Sequence, residues 1–334
     1  MIKARKLNHL QISLQEDIVT KMSNGFERYS FEYESLPEIN FDEIDTSVEF
    51  LGKKLSIPLM ISSLTGGIKD AININETLAR FAEDYSLAMC VGSERILLSN
   101  EELVTNGFNL RKIAPNILLF ANMGAVQLNY GCTIDDYKKV VDLIEADALM
   151  LHINPLQEVF QNAGNTNFSA LLSKIENLCR GIHVPVIAKE VGFGISKKTA
   201  EALINAGITG IDVAGRGGTD WIKIESTASN NKIIQDVAND FHSIGIRTAE
   251  AIAAIKELDT LKIASGGINS GVDIAKAIAL GANITGIARG FLKNLMNLDE
   301  YYLKLLKSLQ ITMFSIGASS IHALYKTNKI HLIS

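Results

Sequence analysis

A chain of 334 residues with 47% hydrophobic residues and a formal net charge of −5 can bury one large core, as α/β barrels of this size do. No block of like charge favours nucleic-acid or membrane-surface binding, and no apolar run approaches the length that crosses a bilayer. Three scattered cysteines (Cys90, Cys132 and Cys179) and an N-terminus without the apolar stretch of a signal peptide indicate a soluble protein of the cytoplasm.

Residues 1–50 show weak periodicity and are expected to form an N-terminal extension. Arg5, Lys6 and His9 lie close together in this segment. A basic cluster is most often a solvated tail. The alternative is a cationic lid that folds over an anionic ligand, and the sequence alone leaves both open.

From Ile57 onward, short apolar runs alternate with helical stretches. The runs predicted as strands are residues 58–62, 87–91, 116–120, 148–152, 185–189, 210–214, 261–265 and 284–288. The predicted helices are residues 71–85, 101–106, 134–145, 168–180, 197–206, 248–257 and 271–280. Buried parallel strands are apolar throughout rather than alternating, and eight βα units can close a parallel barrel. The predicted fold is an α/β, TIM (β/α)8 barrel that forms a single domain over residues 1–334.

The spacing is uneven only between the sixth and seventh predicted strands. The excess, residues 219–244, contains Trp221, the only tryptophan of the chain. A long insertion on the active face of a barrel is usually functional or disordered. We expect it to form a mobile lid.

The fourth predicted strand is followed by a concentrated group of polar side chains, in the order His152, Asn154, Gln157 and Glu158, with Pro155 ending the strand. Ligands bind at the C-terminal ends of strands in such folds. A lone histidine after a strand is more often structural, and Asn-Pro often opens a turn. The neighbouring strand ends nevertheless favour a reaction centre here.

Glycine-rich segments follow the seventh and eighth predicted strands. They are Ser265-Gly266-Gly267 and Ala288-Arg289-Gly290, and each leads into a helix. Glycine allows the backbone to approach an anion, and helix N-termini offer free N–H groups. Tight turns alone would explain either segment, but both occupy the positions where barrel enzymes bind phosphate.

The remaining strand ends carry small, hydroxyl and amide residues together with one lysine, Lys189. Such a rim suits a large planar cofactor, which needs close backbone approach and a few polar groups. Lys189 is suited to placing a positive charge near the electron-rich part of a reduced flavin. A lysine Schiff base is the competing use of such a residue.

The ordered set of motifs resembles the type 2, flavin-dependent isopentenyl-diphosphate isomerases. The resemblance runs through Arg5-Lys6-x-x-His9, Ser63-Leu64-Thr65-Gly66-Gly67, Gly92-Ser93-x-Arg95, Asn122-x-Gly124-Ala125, His152-x-Asn154-Pro155-x-Gln157-Glu158, Lys189-Glu190-Val191-Gly192-x-Gly194, Asp212-Val213-Ala214-Gly215-Arg216-Gly217-Gly218-Thr219 and Ser265-Gly266-Gly267. Two residues depart from the family pattern. Leu64 stands where many members have methionine, and Asp220 stands where we expect a small hydroxyl residue.

The resemblance implies FMN as the cofactor, bound by Ser63, Leu64, Thr65, Gly66, Ser93, Asn122, Lys189, Thr219, Gly266, Gly267, Ala288 and Arg289. It implies that Arg5, Lys6, His9, Arg95 and Gln157 bind the substrate, isopentenyl diphosphate, and that His152, Asn154 and Gln157 are catalytic. By the same resemblance, Glu158 binds Mg²⁺, NADPH reduces the flavin, and the chain assembles as a homotetramer or octamer.

Two other functions remain compatible with these residues. One is another FMN barrel, such as a 2-hydroxy-acid oxidase or a dihydroorotate-type dehydrogenase, which performs net redox chemistry. The other is a flavin- or phosphate-binding barrel without catalytic activity.

Overall fold

A closed barrel of eight parallel strands forms the centre of the protein, and the predicted fold is confirmed. The computed structural model describes residue 12 and residues 18–63, 69–99 and 110–333. Three short strands precede the barrel: β1 (Tyr29–Phe31), β2 (Val48–Phe50) and β3 (Lys53–Leu55). The barrel strands are β4 (Leu59–Ile61), β5 (Ala88–Cys90), β6 (Leu119–Gly124), β7 (Ala148–His152), β8 (Val186–Lys189), β9 (Gly210–Asp212), β10 (Leu261–Ser265) and β11 (Ile284–Ile287). They follow one another around the barrel in chain order, and β11 pairs with β4 to close it.

One predicted strand is displaced along the chain. Residues 116–120 were expected to form the third barrel strand, but β6 begins at Leu119 and ends at Gly124. The side chain and N–H of Asn116 bond Glu83 instead of joining the sheet. The strand extends further because its last five residues pair one to one with β7. The prediction followed the apolar run and stopped before Asn122, a polar residue that is nevertheless buried.

Helices surround the barrel and connect its strands. In chain order they are α1 (Lys69–Asp84), α2 (Ile134–Leu143), α3 (Pro155–Phe160), α4 (Leu171–Gly181), α5 (Lys197–Asn205), α6 (Trp221–Ala228), α7 (Lys232–Ala238), α8 (Thr248–Ala254), α9 (Gly271–Ala279), α10 (Arg289–Lys293), α11 (Leu298–Ser315) and α12 (Ile321–Tyr325). The helix predicted at 101–106 falls outside the described residues. The apolar faces of these helices and the outward side chains of the strands form one core.

A hairpin of β2 and β3 closes the N-terminal end of the barrel. Its two-residue turn, Leu51-Gly52, has positive φ at both positions, as the tightest hairpin turn requires. Phe50 and Leu55 are almost fully buried and pack against interior side chains of the barrel, among them Phe120. The interior below the functional end is therefore filled by side chains.

The C-terminal segment returns to the N-terminal one. A last strand, β12 (Ile330–Leu332), pairs antiparallel with β1, and Lys329 bonds Glu34 at 2.9 Å beside it. Helix α11 packs against α9 on the barrel wall. Within the described residues, no helix has the length and apolar character needed to cross a membrane.

Candidate active site

A cavity of about 550 Å³ lies at the C-terminal ends of the barrel strands. The predicted site residues that the structure describes all line it: Ser63, Ser93, Arg95, Asn122, His152, Asn154, Gln157, Glu158, Lys189, Thr219, Gly266, Gly267, Ala288 and Arg289. The other predicted residues, Arg5, Lys6, His9, Leu64, Thr65 and Gly66, lie outside the described ranges. The fold therefore brings together side chains that lie more than two hundred residues apart in the sequence. Their individual roles stay predictions.

His152 ends β7 and is oriented by Asn122 of the neighbouring strand. Its Nδ1 lies 2.7 Å from Asn122 Oδ1, and the amide of Asn122 donates to the carbonyl of Val91 at 3.1 Å. The N–H of Asn122 donates to the fully buried Glu94 at 2.9 Å. A side chain added at Gly124 would come within 2.8 Å of His152 Nε2. The imidazole is thus held between two strands with little space to turn.

The N-cap and first turn of α3 carry the two amides and the carboxylate predicted for the site. Pro155 starts the helix, and its fixed φ suits that position. Asn154 donates to Gln157 Oε1 at 3.0 Å and to Glu158 Oε1 at 3.1 Å. The other oxygen of Glu158 accepts the N–H of Asn165 at 2.6 Å. Asn154 Oδ1 is buried and has no hydrogen-bond partner among the described residues, so its capacity to accept a hydrogen bond or bind a cation is unused by the protein.

Lys189 ends β8 beside a fully buried carboxylate, Asp212 of β9. The ammonium lies 3.6 Å from Asp212 Oδ2 and donates to the carbonyl of Glu190 at 2.8 Å. Ser265 donates to the other oxygen of Asp212 at 2.7 Å. Burial raises the pKa of Asp212, while Lys189 and the hydroxyl of Ser265 act against this shift. These contacts hold the ammonium in place, and Lys189 also lines the cavity.

The loop after Lys189 is organised by Glu190. Its Oε2 accepts the N–H groups of the three residues that follow it in the chain. Burial raises the pKa of Glu190 to about 7, and the three N–H groups oppose that shift. The loop that borders the lysine therefore has a defined backbone.

The two glycines after β10 pack against the backbone of Gly215 and Gly217 so closely that no residue with a side chain would fit. Gly266 and Gly267 have φ of 102° and 78°. A Cβ at Gly266 would lie 2.1 Å from the carbonyl oxygen of Gly215, and one at Gly267 would lie 2.3 Å from that of Gly217. Ser62 follows β4, two strands from β10 around the barrel. It is buried and lines the same cavity, and its Oγ has no hydrogen-bond partner in the described part of the chain. Glycine backbone and a spare hydroxyl are a suitable setting for a phosphorylated ligand.

Residues 219–244, expected to be a mobile lid, form α6, α7 and a short 3-10 helix (Asn239–Phe241), and α6 packs against α3. Trp221 of α6 lines the cavity, and Glu225 of α6 accepts from Gln157 Nε2 at 2.9 Å. The N-terminal extension reaches the same place, since Val19 pairs with Thr219 in an isolated β-bridge. The insertion is thus part of the cavity wall. That it moves stays a prediction.

Residues 127–331 match the family described as FMN-dependent dehydrogenase. A protein of Nostoc sp. named isopentenyl-diphosphate delta-isomerase is 50% identical over 294 residues, which cover 87% of this chain and 84% of that protein. A protein of Rickettsia felis with the same name is 44% identical over 328 residues, 96% of this chain and 95% of that protein. The chain belongs to the isopentenyl-diphosphate delta-isomerase family, and it is an enzyme.

Solved structures show the fold of this isomerase more distantly. A flavocytochrome b2 with bound sulfite has a TM-score of 0.69 at 19% identity and covers 97% of this chain and 82% of its own. A mandelate oxidase with 3,3-difluoro-2-hydroxy-3-phenylpropionic acid has a TM-score of 0.65 at 16% identity and covers 99% of this chain and 98% of its own. At such low identity, the likeness concerns the barrel and not its chemistry.

Several acidic and aromatic residues around the site were not among the predicted site residues, among them Glu94, Asp212, Trp221 and Glu225. Asp212 had a signal in the sequence, because a charged residue within a buried strand is rarely there without a partner. The hydrogen bond between Gln157 and Glu225 had no signal in the sequence, since it depends on how α6 packs against α3.

Proposed function

We propose that this isomerase interconverts isopentenyl diphosphate and dimethylallyl diphosphate, with FMN, Mg²⁺ and NADPH as cofactors. One observation carries the proposal. The amides and carboxylate of α3 and the glycine backbone after β10 line one cavity, so a flavin and an anionic substrate can meet there. Assembly as a homotetramer or octamer and a cytoplasmic location belong to the same proposal.

The cavity fits FMN in size and in the groups it offers. Its volume of about 550 Å³ lies within the range of cofactor sites, about 300–1,000 Å³. Gly266, Gly267 and Arg289 would hold the phosphate, and Asn122 and Lys189 would border the ring. When bound and reduced by NADPH, FMN supplies the acid and base of the isomerisation at its ring nitrogen N5.

Residues of the chain protect the reaction from water. Moving the double bond builds up tertiary-carbocation character, which water would trap. Trp221 closes one side of the cavity, and its helix also packs against Ile18 of the N-terminal extension. Gln157 would lie near the hydrocarbon and offers an amide in place of a nucleophile.

Mg²⁺ fits this site together with the substrate. The described residues contain no group of three acidic, histidine or cysteine side chains that could hold a metal by themselves. Mg²⁺ commonly binds through one or two carboxylates plus substrate phosphates. Glu158, and the buried oxygen of Asn154 beside it, would supply the protein oxygens and leave the remaining positions to diphosphate and water.

The decisive experiment follows isopentenyl diphosphate by NMR with FMN-loaded protein, Mg²⁺ and NADPH without oxygen. Formation of dimethylallyl diphosphate is expected, and 5-deazaFMN, which lacks the nitrogen at position 5, is expected not to support it. Full turnover with reduced 5-deazaFMN would contradict the assignment of N5. Bleaching of the oxidised flavin by lactate or glycolate would instead indicate a 2-hydroxy-acid oxidase. Flavin binding without binding of Mg²⁺-diphosphate would indicate a barrel without this catalytic function.

The N-terminal basic cluster is proposed to close over the diphosphate. Lys6→Ala is expected to raise KM for isopentenyl diphosphate about tenfold or more, because a charge-assisted contact is lost. FMN affinity, measured by fluorescence titration, is expected to stay the same. Unchanged kinetics would indicate that the basic cluster is a solvated tail and does not contact the substrate.

A further inference from the structure

A single buried arginine connects the two ends of the insertion. Arg216 precedes the insertion and is fully buried. Its Nη2 donates to Asp220 Oδ2 at 3.1 Å and to the carbonyl of His242 at 3.0 Å. These acceptors lie at the beginning and the end of residues 219–244, so one nitrogen bonds both.

The surroundings of Arg216 hold its side chain in one place. The guanidinium carbon lies 4.9 Å from the centre of the Phe193 ring. Gly245 has a φ of 117°, and a Cβ there would come within 2.8 Å of Arg216 Cγ and of the carbonyl oxygen of Phe193. The arginine therefore occupies a channel that requires glycine on one wall.

Asp220 performs two tasks at once. One oxygen receives Arg216, and the other accepts the N–H groups of Ile222 and Lys223 at 3.1 and 3.3 Å, which caps α6. A small hydroxyl residue, expected at this position, would cap the helix but could not neutralise the buried guanidinium. The aspartate therefore adds a charge partner to the cap.

The helix that Asp220 caps carries two groups of the site. Trp221 lines the cavity, and Glu225 accepts from Gln157. Phe241, near the end of the insertion, meets Phe160 of α3 edge to face at 5.3 Å. A displacement of the insertion would thus move the tryptophan and release the amide of Gln157.

We propose that Arg216 and Asp220 are positioning residues for the isomerase reaction. Their ion pair fastens the beginning of the insertion, and the hydrogen bond from Arg216 to the carbonyl of His242 fastens its end. Together these contacts hold Trp221 at the cavity and Glu225 against Gln157. The expected kinetic effect rests on the proposed function. The attachment itself does not, because it can be measured in protein without flavin or substrate.

Asp220→Asn removes the negative charge that pairs with Arg216 but keeps the cap of α6, since asparagine caps helices as well as aspartate does. Arg216 is then left buried without its counter-ion. Because Trp221 is the only tryptophan, its fluorescence in flavin-free protein reports the insertion alone. We expect a red-shifted emission and stronger quenching by acrylamide, with an unchanged far-ultraviolet circular dichroism spectrum. In the loaded enzyme, KM for isopentenyl diphosphate is expected to rise about tenfold to a hundredfold, with a smaller fall in kcat.

The matched control is Asn231→Ala. It removes the cap of the neighbouring helix α7, where Asn231 accepts the N–H of Ile233 at 3.0 Å, and leaves the ion pair intact. Emission and KM are expected to stay near those of the unaltered protein. Unchanged emission and quenching in Asp220→Asn, or equal changes in both variants, would overturn the proposal.

Amide hydrogen exchange of the unaltered protein decides the matter if Asp220→Asn does not fold. The amides of α6 are expected to exchange as slowly as those of the barrel strands. Exchange of α6 at the rate of exposed loops would overturn the proposal. An isomerase assay that fails while the tryptophan responds as expected would count against the proposed function and not against the attachment.

Discussion

Glu158→Gln is expected to lower kcat/KM for isopentenyl diphosphate by about 10²–10³-fold, the cost of removing one group that stabilises charge in a reaction centre. The substitution keeps the size of the side chain and one acceptor oxygen for Asn154 or Asn165, which Glu158 now bonds at 3.1 and 2.6 Å. It removes the negative charge that would hold Mg²⁺. Raising the Mg²⁺ concentration is expected to recover part of the activity, and steady-state kinetics at several concentrations measure this.

The control for this change is Glu176→Gln, on the outer helix α4. Glu176 pairs with Arg180 one turn away on the surface, and such pairs contribute little. We expect its kinetics and flavin affinity to match those of the unaltered enzyme. Equal activity of the two variants at all Mg²⁺ concentrations would rule out Glu158 as the metal ligand.

Lys189→Met is expected to lower the free energy of unfolding by about 3–5 kcal/mol, because it leaves a buried carboxylate without its partner. Asp212 is fully buried, and its Oδ2 finds no hydrogen-bond donor within the residues described, only the ammonium at 3.6 Å. The double variant Lys189→Met/Asp212→Asn is expected to recover most of the loss. Urea denaturation of the three proteins forms the necessary cycle. Additive losses would show that the two side chains do not interact.

The same pair of variants separates stability from flavin chemistry. A positive charge beside the ring favours the reduced, electron-rich form, so both variants are expected to have a lower reduction potential for bound FMN, by about 30 mV for each 1.4 kcal/mol lost. The double variant also loses the negative charge of Asp212, so it is expected to regain most of the free energy of unfolding but only part of the reduction potential. A potential equal to that of the unaltered protein would place Lys189 away from the flavin.

Most of the fold followed from the sequence because barrel strands are short, apolar and regularly spaced. The run Ala148–Leu151 predicts β7 correctly, since each of its residues is buried. β6 was misplaced because its second half contains Asn122, whose burial depends on hydrogen bonds to Val91 and Glu94 in the loop after β5. The hairpin of β2 and β3 was not predicted either, because Lys53 and Lys54 interrupt its apolar pattern.

The site was predictable where a strand end fixed the position of a residue. His152, Lys189 and Gly266 all lie at such ends and all line the cavity. The partners that hold them were not predictable, since Asp212 meets Lys189 only through the pairing of two strands. The insertion was predicted as mobile from its length. Its attachment through Arg216 depends on a carbonyl of His242, which has no signature in the sequence.

The hairpin that turns at Leu51-Gly52 affects how cofactor and substrate enter and leave the enzyme. Phe50 and Leu55 fill the opposite end of the barrel. A cofactor and a substrate that bind in the cavity would therefore enter and leave through the same opening. Isopentenyl diphosphate bound at that opening would obstruct the departure of FMN bound deeper in the cavity. Saturating substrate is therefore expected to slow the dissociation of FMN after dilution. The absorbance of the protein-bound flavin should decay more slowly with substrate than without it.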